Sequence, residues 1–152
     1  MSPPGRPAPL ARLIDFYEGL SPARLVELRT LYADEAAFKD PFNDVRGVAA
    51  IEAIFAHMFE QVAAPRFVVH DVVHDGADDR TMTQAFLTWD FRFGSAGAER
   101  LVRGATQLRF GADGRVTQHR DYWDAAGELY EKIPALGALM RWLKRRLQAP
   151  PR

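Results

Sequence analysis

The amino-acid sequence predicts an α+β domain in which helices cover one face of a curved antiparallel sheet. Apolar residues at helical spacing occupy much of residues 10–63, strand-forming segments occupy residues 66–123, and turn clusters separate those segments. A run of helices followed by a run of strands is typical of α+β folds. The length of 152 residues suits one domain with a sizeable core.

The helical half contains three predicted helices, at residues 10–19, 23–33 and 48–63. The second begins after Ser21 and Pro22, which provide a capping residue and a first-turn proline. A short extended piece at residues 37–39 must stop near Asp40, because Pro41 disfavours helix in the residue before it.

Four strands follow, at residues 66–75, 81–93, 99–110 and 114–123. The turn clusters GADD, GSAGA and GADG lie between them and indicate antiparallel hairpins. An amphipathic helix started by Pro134 ends the pattern. The predicted organisation is a flexible Pro-rich tail at 1–9, the domain at 10–130, and a basic helix and tail at 131–152.

Composition excludes several function classes. The chain has no cysteine, which excludes disulfides and thiolate chemistry and fits a reducing compartment. Its N-terminus is Pro-rich without the apolar core of a signal peptide, so a cytoplasmic protein is expected. All 20 acidic residues lie in residues 1–131, whereas residues 132–152 hold six basic residues, so the acidic body predicts no nucleic-acid partner. No nucleotide fingerprint is present, and no cofactor is expected.

The segment HRDYWD in the last strand carries the clearest chemical signal. Alternate strand residues point to the same side, so His119, Asp121 and Trp123 share one face. No metal is predicted at the other histidine pair, because His70 and His74 are four residues apart on a strand, or about 13 Å.

Two phrases carry a family resemblance, YADEAAFKDPFNDVRG at residues 32–47 and RFGADGRVTQHRDYWD at residues 109–124. With the order of elements, they make residues 10–130 resemble the SnoaL-like branch of the nuclear transport factor two superfamily. The resemblance implies a cone-shaped sheet wrapped around the N-terminal helices, with a pocket for a small hydrophobic ligand. Relatives include ketosteroid isomerases, polyketide cyclases and limonene-epoxide hydrolases, so the fold alone does not give the function.

The resemblance to ketosteroid isomerases places their general base on Asp40. Their two oxyanion donors fall on Phe16 and Thr106, so both are missing, although Tyr17 and Thr106 offer weak substitutes. Because oxyanion stabilisation is usually the largest catalytic contribution, steroid-type isomerase activity is disfavoured.

The resemblance to limonene-epoxide hydrolases places their final-strand carboxylate on Asp121 and a second carboxylate on Asp90. The arginine of their relay falls on Thr88, so Arg92 or Arg103 would have to replace it. One member of the relay is therefore absent.

These matches predict an acid/base site in a cone pocket. Two carboxylates in a low-dielectric cavity cannot both ionise without a large cost in free energy, so the pKa of one of them is raised. The protonated group can then act as an acid and the ionised group as a base. The predicted catalytic residues are Asp40, Asp121, His119 and Asp90. The predicted pocket residues are Phe16, Tyr17, Phe55, Phe86, Thr88, Thr106 and Trp123.

Structural roles compete with these assignments. Asp40 before a proline also suits a turn, Asp121 can instead pair with Arg103 or Arg109 across the sheet, and His119 can be a structural hydrogen-bonding residue. The whole protein can likewise be a non-catalytic dimeric interaction module.

Two surfaces are candidates for contact with a partner, one on the sheet and one on the C-terminal helix. In residues 81–93 the odd positions are the more apolar, but the family alignment turns Phe86, Thr88 and Asp90 to the pocket and leaves that apolar face outside. Such a face predicts a homodimer through the outer side of the sheet. Residues 133–148 form a basic amphipathic helix that either packs over the pocket or makes peripheral contact with an anionic membrane.

Overall fold

The computed structural model describes residues 5–128 and 134–148, and the chain divides into two compact units, residues 1–122 and 123–152. The helical elements are α1 (Ala8–Glu18), a 3₁₀ helix (Pro22–Glu27), α2 (Leu28–Leu31), α3 (Val48–Gln61), α4 (Ala125–Glu128) and α5 (Pro134–Leu147). The strands are β1 (Tyr32–Lys39), β2 (Asp44–Arg46), β3 (Arg66–His74), β4 (Gln84–Phe93), β5 (Arg100–Phe110) and β6 (Val116–Trp123). Part of the predicted tail, residues 1–4, lies outside the described residues.

The strands form one open sheet in the order β2-β1-β6-β5-β4-β3. The long strands predicted from residue 66 onward are all present, and β3, β4 and β5 pair antiparallel. One pair departs from the prediction of an antiparallel sheet, because β1 and β6 run parallel. Parallel neighbours need a long connection between them, and the intervening chain from α3 to β5 provides it.

The second helix is shorter than predicted. Instead of a helix over residues 23–33, the chain forms the 3₁₀ helix and α2, and Tyr32 begins β1. Tyr32 pairs with Val116 in the parallel ladder, and its side chain is completely buried. Tertiary pairing and burial of a β-favouring aromatic residue therefore outweigh the local helical pattern.

The helices of residues 1–122 supply one side of the core, and the sheet supplies the other. Helix α1 packs against β3, and α3 packs against β1. Gly47 is the N-cap residue of helix α3, and its φ of 101° lies in a region that favours glycine. The fully buried side chains include Leu10, Leu13, Phe16, Leu28, Ile51, Leu108 and Val116. No helix in the described ranges is long and apolar enough to cross a membrane.

The apolar odd face of β4 points to the core. Ala85, Leu87 and Trp89 are buried, whereas Phe86 is 46% exposed and Thr88 is also exposed. The family-based orientation of β4 was therefore wrong, because the odd positions are the buried ones. The homodimer stays a prediction, but the apolar face proposed for it is not on the outside of this sheet.

Candidate functional site

A buried histidine lies at the centre of the site. His119 is 2% exposed, and its ring stacks on Phe38 of the neighbouring strand β1 with centroids 4.5 Å apart. The Nε2 atom lies 2.7 Å from Asp121 Oδ1, and the Nδ1 atom lies 2.8 Å from the Tyr32 hydroxyl. The i, i+2 spacing on β6 brings His119 and Asp121 to one face, as the HRDYWD pattern predicts.

A second set of contacts reaches Asp121 from the adjacent strands. The Thr106 hydroxyl donates to Asp121 Oδ1 over 2.5 Å, and the Trp89 indole N–H donates to the Thr106 oxygen over 2.8 Å. An indole nitrogen can only donate, and a threonine hydroxyl carries one proton. The direction from Trp89 through Thr106 to Asp121 is therefore determined by the chemistry of the groups.

A pair of phenols completes the opposite end of the chain of hydrogen bonds. The hydroxyls of Tyr17 and Tyr32 bond to each other, and Tyr17 is also 3.2 Å from His119 Nδ1. Burial raises the pKa of Tyr17 well above its ordinary value of 10.0, and Tyr32 and Asp121 raise it further. Burial likewise raises the pKa of Tyr32. Both phenols therefore keep their protons at neutral pH and remain donors.

These donors select one tautomer of His119. If Tyr17 donates to Tyr32 and Tyr32 donates to Nδ1, then Nδ1 is an acceptor and the ring proton is on Nε2. That proton is directed at Asp121 Oδ1. Every hydroxyl and ring nitrogen in the network then has a partner, and two donors converge on one carboxylate oxygen.

The glycine at position 104 makes the contact between Trp89 and Thr106 possible. Trp89 pairs with Gly104 across β4 and β5, and a Cβ atom at Gly104 would lie 2.4 Å from Trp89 Cη2. The indole therefore lies over the bare backbone of residue 104 and reaches Thr106. Glycine inside a strand often marks such a close approach.

Asp40 occupies a turn at the end of β1. Its carboxylate accepts hydrogen bonds from the backbone N–H groups of Phe42 and Asn43, each over 2.7 Å, and from the Asn43 side chain. Strand β1 runs in register with β6 up to the pair Lys39 and Arg120, so Asp40 follows β1 where Asp121 continues β6. The hydrogen bonds described for Asp40 are those of the turn and not those of the His119 network.

The predicted residues on β4 lie on the opposite face of the sheet. Because paired residues point to the same side, Leu87 and Thr106 share the inner face, whereas Thr88 and Asp90 face outward. There, Asp90 Oδ2 lies 3.1 Å from His70 Nε2, and Asp90 Oδ1 forms an ion pair with Arg103 Nε over 3.8 Å. The placement of Phe86, Thr88 and Asp90 in the pocket was therefore wrong, for the same reason as the orientation of β4. Arg103 thus pairs with Asp90 and not with Asp121.

The remaining predicted residues are aromatic. Phe16 and Phe55 are buried and meet edge-to-face with ring centroids 6.3 Å apart, and Tyr17 lies beside both. These rings surround the phenol end of the network with apolar groups. Trp123 is the last residue of β6 and its side chain is partly exposed.

Sequence reasoning missed three members of the site. Tyr32 was assigned to a helix, and Trp89 and Phe38 were not singled out for the site. The signal for Trp89 was the glycine at 104 in the middle of an otherwise regular strand. Tyr32 carried no local signal, because its role depends on a strand that is distant in sequence.

The family comparison agrees with this architecture. The family described as the SnoaL-like domain matches residues 13–119, which is more than half of the chain. The chain belongs to the SnoaL-like family. The observed α+β architecture, with helices followed by a curved, unclosed sheet, confirms the fold predicted for the chain. No curated protein matches the chain.

Solved structures with the SnoaL-like architecture include proteins of different kinds. An M. tuberculosis LEH-like epoxide hydrolase has a TM-score of 0.64 and 16% identity, covering 88% of this chain and 95% of that chain. A putative SnoaL-like polyketide cyclase from Shewanella putrefaciens CN-32 has a TM-score of 0.63 and 16% identity, covering 88% of both chains. An NTF2-like protein of unknown function from Exiguobacterium sp. 255-15 has a TM-score of 0.63 and 19% identity, covering 77% of this chain and 98% of that chain. At these identities the similarity establishes the fold alone.

Proposed function

We propose that this protein is a cofactor-independent enzyme that moves a proton on a small hydrophobic molecule, with Asp121 as the general base. The observation that carries the proposal is the convergence of Thr106 and His119 on Asp121 Oδ1. Two donors hold that oxygen, and the side chain is 18% exposed. The second oxygen, Oδ2, makes no hydrogen bond to any residue described in the structure, so it is the atom that would accept a proton.

The surroundings of Asp121 support a positioning role for His119. The ring is buried, its Nδ1 is held by Tyr32, and its Nε2 proton points at the carboxylate. A base held in one orientation by a second group is the arrangement that general base catalysis requires. His119 would orient Asp121 and stabilise its charge without itself touching the substrate.

Two alternatives from the family have less support in this geometry. A steroid-type isomerase needs oxyanion donors, but the Thr106 hydroxyl donates to Asp121 and the Tyr17 hydroxyl bonds to Tyr32. A two-carboxylate epoxide hydrolase needs a second acid, but Asp90 lies on the outer face and Asp40 bonds to its own turn. A mechanism with one carboxylate requires neither an oxyanion donor nor a second acid among the described side chains.

The substrate class follows from the hydroxyls of the network, because those of Thr106 and Tyr17 are already engaged and do not serve as oxyanion donors. A methylene group between two carbonyls is much more acidic than one beside a single carbonyl, so its proton can be removed with little help. We therefore propose a β-dicarbonyl compound with an apolar body, of the kind a polyketide cyclase would use. The buried rings of Phe16 and Phe55 beside Tyr17 make the surroundings of the network apolar, which is consistent with an apolar substrate.

The proposed reaction balances without a cofactor. Asp121 Oδ2 removes a proton from the methylene carbon, and the electrons of the C–H bond form an enolate. The enolate carbon attacks the carbon of a third carbonyl farther along the same molecule, a C–C bond forms as the C=O π bond breaks, and the resulting alkoxide takes the proton back from Asp121. If no carbonyl is within reach, the proton returns to carbon and the outcome is exchange or isomerisation.

Proton exchange tests this proposal directly. The full chain is incubated with a β-ketoamide in D₂O, and deuterium incorporation at the methylene is followed by NMR after subtracting the uncatalysed exchange. We expect Asp121→Asn to lower the catalysed rate at least 100-fold, within the range for loss of a general base. The matched control is Asp90→Asn on the outer face, which should retain the rate. Equal rates in Asp121→Asn and the unmodified protein would refute the assignment.

A further inference from the structure

Helix α5 carries an apolar stripe that the proposed chemistry does not use. Its apolar side chains recur at helical spacing on one side, and four of them are substantially exposed: Leu139 (52%), Trp142 (45%), Leu143 (38%) and Leu147 (84%). Exposed apolar side chains in a row indicate an interaction surface. We call these four residues the α5 stripe.

The rest of α5 is basic. Arg141, Lys144 and Arg145 lie outside the α5 stripe, and Arg146 places its guanidinium 5.0 Å from the centre of the Trp142 ring. Residues 132–152 contain six basic and no acidic residues, which gives this segment a net positive charge. The amphipathic pattern therefore sets an apolar stripe against a side that carries Arg141, Lys144 and Arg145.

In the unit that contains α5, few of the described residues lie outside that helix. Its other described elements are the end of β6 and α4, which is only four residues long. The four side chains of the α5 stripe are exposed, and the charge pattern of the helix selects among the occupants that could cover them. A membrane surface rich in anionic lipid offers apolar chains to the stripe and negative headgroups to the arginines and lysine together.

We propose that α5 binds an anionic lipid surface, lying in the plane of the interface. Fourteen residues form about four turns, which is too short to cross a bilayer but sufficient for an interfacial helix. The Trp142 ring, with a cation stacked on it, suits the boundary between headgroups and acyl chains. This interaction does not depend on Asp121 and stands independently of the proposed reaction.

Vesicle co-sedimentation of the full chain tests the proposal. One set of vesicles is pure phosphatidylcholine and the other contains about one third phosphatidylglycerol. Binding is expected only to the anionic set, and it should weaken steeply with added salt because the charges act through a screened field. Leu143→Glu should weaken binding more than tenfold.

The matched control places the same change outside α5. Val26 is 67% exposed on the 3₁₀ helix, so Val26→Glu adds the same charge to the body and should retain binding. Trp142→Phe serves as the second variant, because it keeps an apolar ring and should still sediment while losing any blue shift of tryptophan fluorescence on binding. Asp121→Asn should bind vesicles like the unmodified chain.

Three outcomes would overturn the proposal. Equal binding to both sets of vesicles would exclude recognition of anionic lipid. Absence of binding, with Leu143→Glu changing the sedimentation coefficient of the free protein, would assign the α5 stripe to a second copy of the chain. Absence of binding with no such change would assign the stripe to a contact within the chain. Circular dichroism of each variant verifies that the helical content is retained.

Discussion

The substitution Gly104→Ala places a methyl group where the Trp89 indole now lies. The new Cβ would be 2.4 Å from Trp89 Cη2, 2.5 Å from Cζ2 and 2.9 Å from Cζ3, all shorter than a normal van der Waals contact. The indole must therefore move away from β5. Its N–H would then lose the Thr106 hydroxyl, which would in turn be free to leave Asp121.

The expected cost combines three effects. Forcing an extra methyl into a packed interior costs about 1–3 kcal/mol, and losing the Trp89–Thr106 hydrogen bond costs about 1 kcal/mol. Replacing a strand glycine by alanine recovers about 0.5–1 kcal/mol. The net loss in the free energy of unfolding is therefore about 1–3.5 kcal/mol.

A double-mutant cycle identifies the cause of this loss. Urea denaturation is measured for the unmodified chain, Gly104→Ala, Trp89→Phe and the double variant. A phenyl ring lacks the outer atoms of the indole, so in the Trp89→Phe background the added methyl should be nearly neutral. The coupling should exceed about 0.5 kcal/mol, since contacting residues couple by about 0.5–3 kcal/mol. An equal cost of Gly104→Ala in both backgrounds would refute the steric argument.

Three further predictions concern the polar groups. Tyr17→Phe and Tyr32→Phe should each lower the free energy of unfolding, measured by urea denaturation, by about 1 kcal/mol. The double variant should lower it by more than the sum of the two, because His119 Nδ1 then loses both candidate donors. Simple additivity would contradict the shared acceptor. The raised pKa values of both phenols mean that the folded state holds these protons above pH 10.0, where the unfolded chain releases them. The stability that this provides is present below pH 10.0 and is lost as the pH rises above it, by up to about 1.4 kcal/mol per pH unit for each phenol. In the double Phe variant the free energy of unfolding should fall less steeply with pH. An unchanged slope would contradict the assignment. Asp40→Ala should lower the unfolding free energy by about 1 kcal/mol, because the N–H groups of Phe42 and Asn43 lose their acceptor; an unchanged denaturation midpoint would show that the turn does not need the carboxylate.

The successful part of the sequence analysis rests on periodicity. The helices α1 and α3 and the four long strands follow from apolar spacing and turn clusters, which are local properties of the chain. The contact between His119 and Asp121 follows from the same kind of argument, because residues two apart on a strand share a face. The basic helix α5 is likewise visible from spacing and charge alone.

The errors share a different cause. Tyr32 looked helical because residues 25, 28 and 31 precede it at helical spacing, and only its pairing with the distant Val116 made it a strand residue. The family alignment turned β4 the wrong way, because a shift of one residue moves every side chain to the other face. Asp90 consequently lies outside the candidate site, beside His70 and Arg103 on the outer face of the sheet.

The sequence by itself determined which residue types are available and which of them share a strand face. It therefore identified the family and placed His119 beside Asp121. Tertiary structure decided which groups meet across strands, because hydrogen-bond partners such as Tyr17, Tyr32 and Thr106 are 15–102 residues from the side chains that they contact. The protonation pattern of the site is a property of that assembly, since a phenol, a ring nitrogen and a carboxylate acquire their donor and acceptor roles only when buried together.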